Sequence, residues 1–579
     1  MTTHRSLSSL AVTLLTLAVA GTVRGAEEAD LILHHGKVIT VDRDFTIREA
    51  LAVKGDRLLR IGTNDDVLKT RGPGTIVVDL GGKTVVPGLI DSHTHPTSAC
   101  MTEFDHPIPQ METVQDVLDY IRARADALGE GRWVVVRQVF ITRLKEQRYP
   151  TRAELDRVAP KNPVLFATGP DASVNSLALS LSGIDKGFKV DGAGRIEKDP
   201  ATGEPTGILR NCTRYIKVKP AGHEPAEPDE ERRLAELFHD YNAVGITSII
   251  DRDTADPAID RYRRMLDSGA LSVRIGISRH VETMGSLDKV LAEVQRTAEH
   301  PLRKGGPRLH IIGIKTYLDG GMLTGSAYMR EPWGVSRTYA IDDPKYRGVL
   351  FVPPERLLPI VRATVQSGLQ FTAHSVGDGA VHALLDAYEE VNKQTPVAPT
   401  RPCITHSNFM SCEAIATAAR LGVVVDIQPA WLYLDTRTLA AQFGYDRLRY
   451  FQPLRSLFAA GVTAGGGSDH MQKIGSLRSI NPYNPFLGMW VAISRRAQNF
   501  DRPLHPEEAL TREQALRFYT INNARLLFLE DRVGSLEEGK QADFVVLDRD
   551  LLTCPQEDIR GAQALSTYLD GKRIFERRD

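Results

Sequence analysis

Two histidines set two residues apart, His93 and His95, close the apolar run Val85-Val86-Pro87-Gly88-Leu89-Ile90-Asp91-Ser92. Side chains at i and i+2 of a strand point the same way. The pair can therefore offer two imidazoles to one metal ion from one side of a strand end. His-x-His alone is a weak signal, because such pairs also occur without metal. Its weight comes from other runs that end in donors. Ile311-Ile312-Gly313-Ile314-Lys315 carries a lysine among apolar residues, Phe371-Thr372-Ala373-His374 and Cys403-Ile404-Thr405-His406 end in histidine, and Thr463-Ala464-Gly465-Gly466-Gly467-Ser468-Asp469 ends in aspartate. Each has a structural reading when taken singly: a satisfied histidine, a lysine that snorkels, a Ser-Asp pair that caps a helix. Together, in the order His-x-His, Lys, His, His, Asp, they read as one metal site built from several strand ends.

The elements that must position these groups follow from the same pattern. Apolar strands alternate with helical stretches, which is the signature of an α/β fold with parallel strands. Eight candidate strands begin near Val85, Ile246, Val273, His310, Leu369, Cys403, Val423 and Val462. Eight βα units predict a TIM-like barrel, whose active site lies at the C-terminal strand ends. We assign it residues 85–525. Residues 97–240 are too many for a loop and predict an inserted subdomain after the first strand. Short strands punctuated by glycine fill residues 27–84, and the same texture returns at 526–579. The two ends are expected to combine into one small β-sandwich.

The bulk properties narrow the function class. The chain has 579 residues, 42% hydrophobic and 25% charged, which is ordinary globular composition and too long for a single core. The net charge of −1, with no basic stripe, argues against nucleic acid. Arg5 precedes an apolar run at residues 10–20, followed by small residues and then Glu27-Glu28. This predicts a signal peptide over residues 1–26, a secreted or periplasmic enzyme, and no stable membrane span after cleavage. Five cysteines (Cys100, Cys212, Cys403, Cys412, Cys554) include no Cys-x-x-Cys and are read as mostly buried and chemically idle.

The order of the six donors resembles the amidohydrolase superfamily, and within it the YtcJ-like branch, amidohydrolase family 3, which includes N-substituted formamide deformylases. Further stretches carry the resemblance: Val174-Asn175-Ser176-Leu177-Ala178-Leu179, Gly203-Glu204-Pro205-Thr206-Gly207, Gly245-Ile246-Thr247-Ser248, Tyr519-Thr520-Ile521-Asn522-Asn523-Ala524 and residues 534–543. The resemblance implies a (β/α)8 barrel with a sandwich built from both termini. It implies zinc held by His93, His95, His374, His406 and Asp469. It also implies that Lys315 is carbamylated and bridges two ions; the alternative is an unmodified Lys315 beside one ion.

The implied reaction is hydrolysis of a non-peptide C–N bond in an amide-like small molecule by a metal-activated hydroxide. Asp469 would take the water proton and pass it to the leaving nitrogen. Cyclic amides, amidines or esters are alternative substrates, and a catalytically silent binding or regulatory protein is the alternative of another class. Asp171, Asn175 and Asp319 are the candidate substrate-binding residues, and a homodimer is expected. The chain departs from the branch at Gly169-Pro170-Asp171-Ala172-Ser173, at Thr405 before His406, and at His470-Met471-Gln472. These departures are expected where substrate is handled.

Overall fold

The computed structural model describes Met1 and residues 27–578, apart from 138, 169–170, 192–193, 220 and 223–224. The signal peptide expected over residues 1–26 lies outside the described residues except for Met1, as do Gly169 and Pro170. Among the described residues no helix is long and apolar enough to cross a membrane.

Eight parallel strands form the centre: β1 (Leu89–Thr94), β2 (Ile246–Thr254), β3 (Arg274–His280), β4 (Leu309–Tyr317), β5 (Gln370–Ser375), β6 (Cys403–His406), β7 (Val424–Ile427) and β8 (Ala464–Gly466). Each pairs with its sequence neighbour, so the sheet order is the chain order. These strands are buried on both faces, which is why they read as nearly unbroken apolar runs. Helices cover the outside. The helix Pro354–Gln366 buries Leu357, Ile360, Val361, Thr364 and Val365, one stripe at helical spacing against the sheet.

The sheet closes on itself just beyond the paired ends of β1 and β8. Asp469 N–H donates to His93 O, and His95 N–H donates to His470 O, both at 2.8 Å. Gly467 makes this approach possible: a Cβ there would lie 2.8 Å from His93 N and from Ser92 Oγ. The seam of the barrel and the His-x-His motif are thus one feature.

The strand expected from Val85 is two strands. Thr84–Pro87 leaves the barrel and pairs antiparallel with Phe544–Leu547, and β1 starts only after Gly88. The other seven barrel strands start within two residues of their expected positions. The pairing of Thr84–Pro87 with Phe544–Leu547 joins both chain ends in a six-stranded sheet. That sheet faces a four-stranded one (Arg57–Gly62, Ala50–Lys54, Ala29–His34, Arg71–Asp79). Leu33, Val53, Leu58, Val85, Phe544 and Val546 fill the space between them.

Between β1 and β2 the chain builds a five-stranded sheet, ordered Arg195–Lys198, Pro205–Arg210, Asp171–Val174, Val164–Thr168, Val134–Val136. Helices on it include Val114–Leu128 and Arg152–Val158, each started by a threonine capping box. None of the five cysteines is in a disulfide; Cys100, Cys212 and Cys403 are buried, and Cys412 is exposed.

Candidate metal centre

All six predicted donors converge at the C-terminal mouth of the barrel. His93 Nε2 lies 3.2 Å from His95 Nε2 and 3.4 Å from Asp469 Oδ1, and His95 Nε2 lies 3.2 Å from the same oxygen. The three atoms form a small triangle from β1 and the end of β8, sized for one ion. The ring of His406, from the end of β6, stacks on His93 with centroids 4.8 Å apart. His374, from β5, stands edge-on to His406 at 4.5 Å. Lys315, from β4, is buried, with Nζ 5.3 Å from the centroid of the Tyr317 ring.

Local backbone chemistry sets these positions. Asp91 Oδ1 accepts from His93 N–H at 2.9 Å and from Ser468 N–H at 3.0 Å, tying the β1 end to the β8 end. Asp469 and His406 hold left-handed backbones, with φ of 55° and 76°. Such conformations cost roughly 1–3 kcal/mol each and persist where surroundings over-determine them. Asn481 Nδ2 supplies part of that constraint, donating to Asp469 O at 2.8 Å.

A second layer fixes the imidazoles. His93 Nδ1 meets Asp426 Oδ1 at 3.2 Å, and His406 Nδ1 meets Gln428 Oε1 at 2.8 Å. Each carbonyl or carboxylate oxygen takes the Nδ1–H, which leaves the Nε2 lone pair for a metal. Asp426 in turn pairs with Arg252 Nε at 3.0 Å, and both side chains are fully buried. Arg252 also donates to Gln370 Oε1 and Ser278 Oγ across the barrel interior. Sequence reading missed Asp426, Gln428 and Arg252. The available signal was a lone carboxylate inside the apolar run Val423-Val424-Val425-Asp426-Ile427.

The donor chemistry fits a cation. Burial, reinforced by the charge of Lys315, holds His93 and His406 well below the usual imidazole range and His374 at about 3, so all three are neutral. Burial also lowers Lys315, against the pull of Asp253, Asp426 and Asp469. Burial pushes Asp469 up. For His95 burial acts downward, but Asp469, Asp251 and Asp253 outweigh it and the net shift is upward. Three neutral imidazoles and a lysine with a weakened ammonium suit a divalent ion, while His95 and Asp469 hold their protons more tightly and would release them on binding it.

The candidate substrate residues divide. Asp319 is buried, and its two oxygens accept from the backbone N–H groups of Tyr328, Val376 and Gly377 at 2.9–3.0 Å. It supports the β5 turn behind His374, whose Nε2 lies 3.9 Å from its Oδ1. Asn175 is also structural. It caps the helix Ser176–Ser182 and receives Val164 N–H at 2.9 Å. Asp171 accepts from Asn211 N–H and lines a cavity of about 260 Å³ with Arg210 and Tyr346.

Two departures from the branch pattern also prove internal. Thr405 is buried and bonds Asp426 and Thr372. His470 turns into the core, taking Tyr241 O–H on Nδ1 and meeting Lys473 O with Nε2.

Groups not anticipated stand beside the centre. Asp253, at φ 152°, accepts from Tyr317 O–H at 2.8 Å and meets His280 Nδ1 at 2.6 Å. Tyr317 and His280 line a cavity of about 570 Å³ that reaches Asn211 and Arg214 of the insertion.

A model of the amidohydrolase family matches residues 76–575. The chain belongs to the amidohydrolase family. It is 30% identical to the N-substituted formamide deformylase of Arthrobacter pascens over 563 residues, covering 95% of this chain and 98% of that protein. It is 24% identical to the YtcJ protein of Bacillus subtilis, covering 94% and 99%. An uncharacterised metal-dependent hydrolase from Pyrococcus furiosus has the same fold, with a TM-score of 0.64 at 22% identity over 90% of this chain and 100% of that one. This amidohydrolase is therefore a metal-dependent hydrolase of C–N bonds other than peptide bonds, and its donor cluster lies where a barrel places its active site.

Proposed function

We propose that this amidohydrolase cleaves the C–N bond of an amide-like small molecule, and that His93, His95, His374, His406, Asp469 and a carbamylated Lys315 would hold its zinc. The triangle of His93, His95 and Asp469, with His93 buried and held by Asp426, and His406 held by Gln428 beside it, is the observation that carries this reading. His-rich sites with shared oxygen donors favour zinc. The 30% likeness to a formamide deformylase supports an amide substrate. When bound, zinc supplies a Lewis acid that brings water toward a pKa of ~7.

The remaining tasks fall to the protein. Asp469, one oxygen against His95 and its carbonyl anchored by Asn481, receives the proton of the attacking water and delivers it to the leaving nitrogen. Amines leave poorly without that proton. Tyr317 and His280, oriented by Asp253, present polar atoms to the substrate cavity. The apolar run at residues 10–20 supports export of the enzyme.

The test is a screen of N-substituted formamides, acetamides, cyclic amides and esters with the zinc-loaded protein. Release of amine that stops on chelation and returns with zinc is expected. Ester cleavage without amide cleavage would change the bond, and no metal-dependent turnover of any class would move the chain to a binding role.

A further inference from the structure

A separate cluster of metal-type donors stands on the terminal sandwich, with no barrel residue in it. His34, His35 and Asp79 each offer a ligand atom, and the three atoms lie within 4.8 Å of one another. His34 ends the strand Ala29–His34, and Asp79 ends its parallel neighbour Arg71–Asp79, where the two are partners in register. Partners in register on parallel strands present their side chains to the same face. His34 and Asp79 therefore meet at one sheet edge.

His35 joins them through its backbone. Successive residues of a strand point to opposite faces, so His34 and His35 would ordinarily diverge. His35 instead takes a left-handed backbone, with φ of 54°. Its ring returns to lie 4.2 Å from that of His34, centroid to centroid. The turn is held from several sides. Leu80 N–H donates to His34 O at 2.8 Å, and Gly82 N–H donates to His35 O at 2.7 Å. His35 N–H donates to Asn64 Oδ1 at 2.7 Å. Gly36 lets the two turns pack, because a Cβ there would run into Leu80. Glycine or asparagine would make the same turn without an imidazole.

The donors are oriented but not used up. Asp79 Oδ1 accepts Gly81 N–H at 2.9 Å, which leaves Oδ2 facing His35 Nδ1 at 3.1 Å. An ion pair between His35 and Asp79 accounts for two of the three groups. It does not account for His34, whose Nδ1 is shut off from solvent and has no hydrogen-bond partner among the described residues. Buried polar atoms are normally partnered. The fold does not commit this imidazole, and a bound ion would use all three groups.

We propose that His34, His35 and Asp79 bind one divalent transition ion, distinct from the barrel centre, that clips the N-terminal strand of the sandwich to the turn after Asp79. Two imidazoles and a carboxylate select zinc- or copper-type ions over calcium and magnesium, which take oxygen ligands. Copper(II) is the tightest-binding probe for such a set. An ion that binds these residues only when the strands are paired stabilises the folded chain.

The experiment titrates untagged protein, its barrel metal counted beforehand by elemental analysis, with copper(II). One copper per chain should bind at micromolar concentration with the barrel metal unchanged. Its electron paramagnetic resonance spectrum should show splitting from two nitrogens, and the urea unfolding midpoint should rise. His35→Asn keeps a residue suited to the left-handed turn and removes one ring, and His34→Gln removes the other. Each should keep its barrel metal, weaken copper binding at least about tenfold and abolish the rise in midpoint. Equal binding in the wild type and both variants places the copper elsewhere and overturns the proposal. Copper that enters only as barrel metal leaves also overturns it, as does binding only at millimolar copper, which marks an adventitious ion.

Discussion

Asp426 Oδ1 lies 3.2 Å from His93 Nδ1, and neither side chain reaches solvent. The other oxygen of Asp426 faces Arg252, so one buried carboxylate serves a histidine of the candidate metal centre and an arginine that crosses the barrel interior. The metal centre and the inner packing of the barrel therefore share a residue.

Replacing Asp426 should damage both. Asp426→Asn removes the negative acceptor that fixes the His93 tautomer, and retained zinc should fall about 10- to 100-fold in a chelator competition. The same change leaves Arg252 buried without a counter-charge, at a cost of about 3–5 kcal/mol in denaturant unfolding. Wild-type zinc retention would remove Asp426 from the metal site.

Asp469→Asn keeps the shape and the histidine donors. We expect most of the metal to stay and turnover to fall about 10²- to 10⁴-fold at matched metal occupancy, the range for loss of a general base. Turnover near wild type would assign the proton transfer elsewhere.

Lys315 is read by counting metal. Burial weakens its ammonium and favours the neutral amine that can take up carbon dioxide. Elemental analysis should find two zinc ions per wild-type chain and one or none in Lys315→Ala. Equal counts in both proteins would leave Lys315 as an unmodified neighbour of a single ion.

Asp253 holds φ at 152°, where a Cβ is strained. Both Asp253→Gly and Asp253→Ala lose the carboxylate that orients Tyr317 and His280. The glycine variant should nonetheless be the more stable by about 1–3 kcal/mol, because only alanine retains the strain. Equal unfolding midpoints would show that the backbone there is relaxed.

His470 gives a pH signature. Burial lowers it to about 4 from the ordinary 6.5, although the carbonyls of Lys473 and Gln472 pull the other way. Below pH 6.5 the unfolded chain binds a proton that the folded one refuses. The stability it contributes is complete above about 6.5 and fades by about 1.4 kcal/mol per pH unit as the pH falls toward about 4. His470→Gln has no such titration. The wild-type advantage over the variant, measured in urea, should shrink across that window; a constant difference would mean that His470 titrates alike in both states.

The donors were legible in the sequence because each ends a strand, and strand ends in a barrel converge whatever lies between them. That His93, His95, His374, His406 and Asp469 gather at one mouth follows from the position of each in its own run. The sandwich was legible from its glycine-punctuated short strands, but not the join at Gly88, because Val85 and Leu89 belong to one unbroken apolar run that the fold divides between two sheets. Asp426 and Arg252 were hidden for a related reason. Their meaning lies in a pairing across the barrel interior, and strand order alone does not reveal which buried side chains meet there. Asn175 and Asp319 misled because a carboxamide that caps a helix and a carboxylate that gathers backbone N–H groups resemble ligand contacts until the partners are seen.

The barrel seam and the terminal sheet have a consequence for how the chain is made. His93 leaves the ribosome long before Asp469, and Thr84–Pro87 waits for Phe544–Leu547. Until the last strands are synthesised, the first barrel strand has an open edge and the His-x-His pair lacks its carboxylate. Such distant pairings form late. Metal loading is thereby placed at the end of biogenesis, and a chain cut short near its C-terminus is expected to be aggregation-prone and metal-poor rather than partly active.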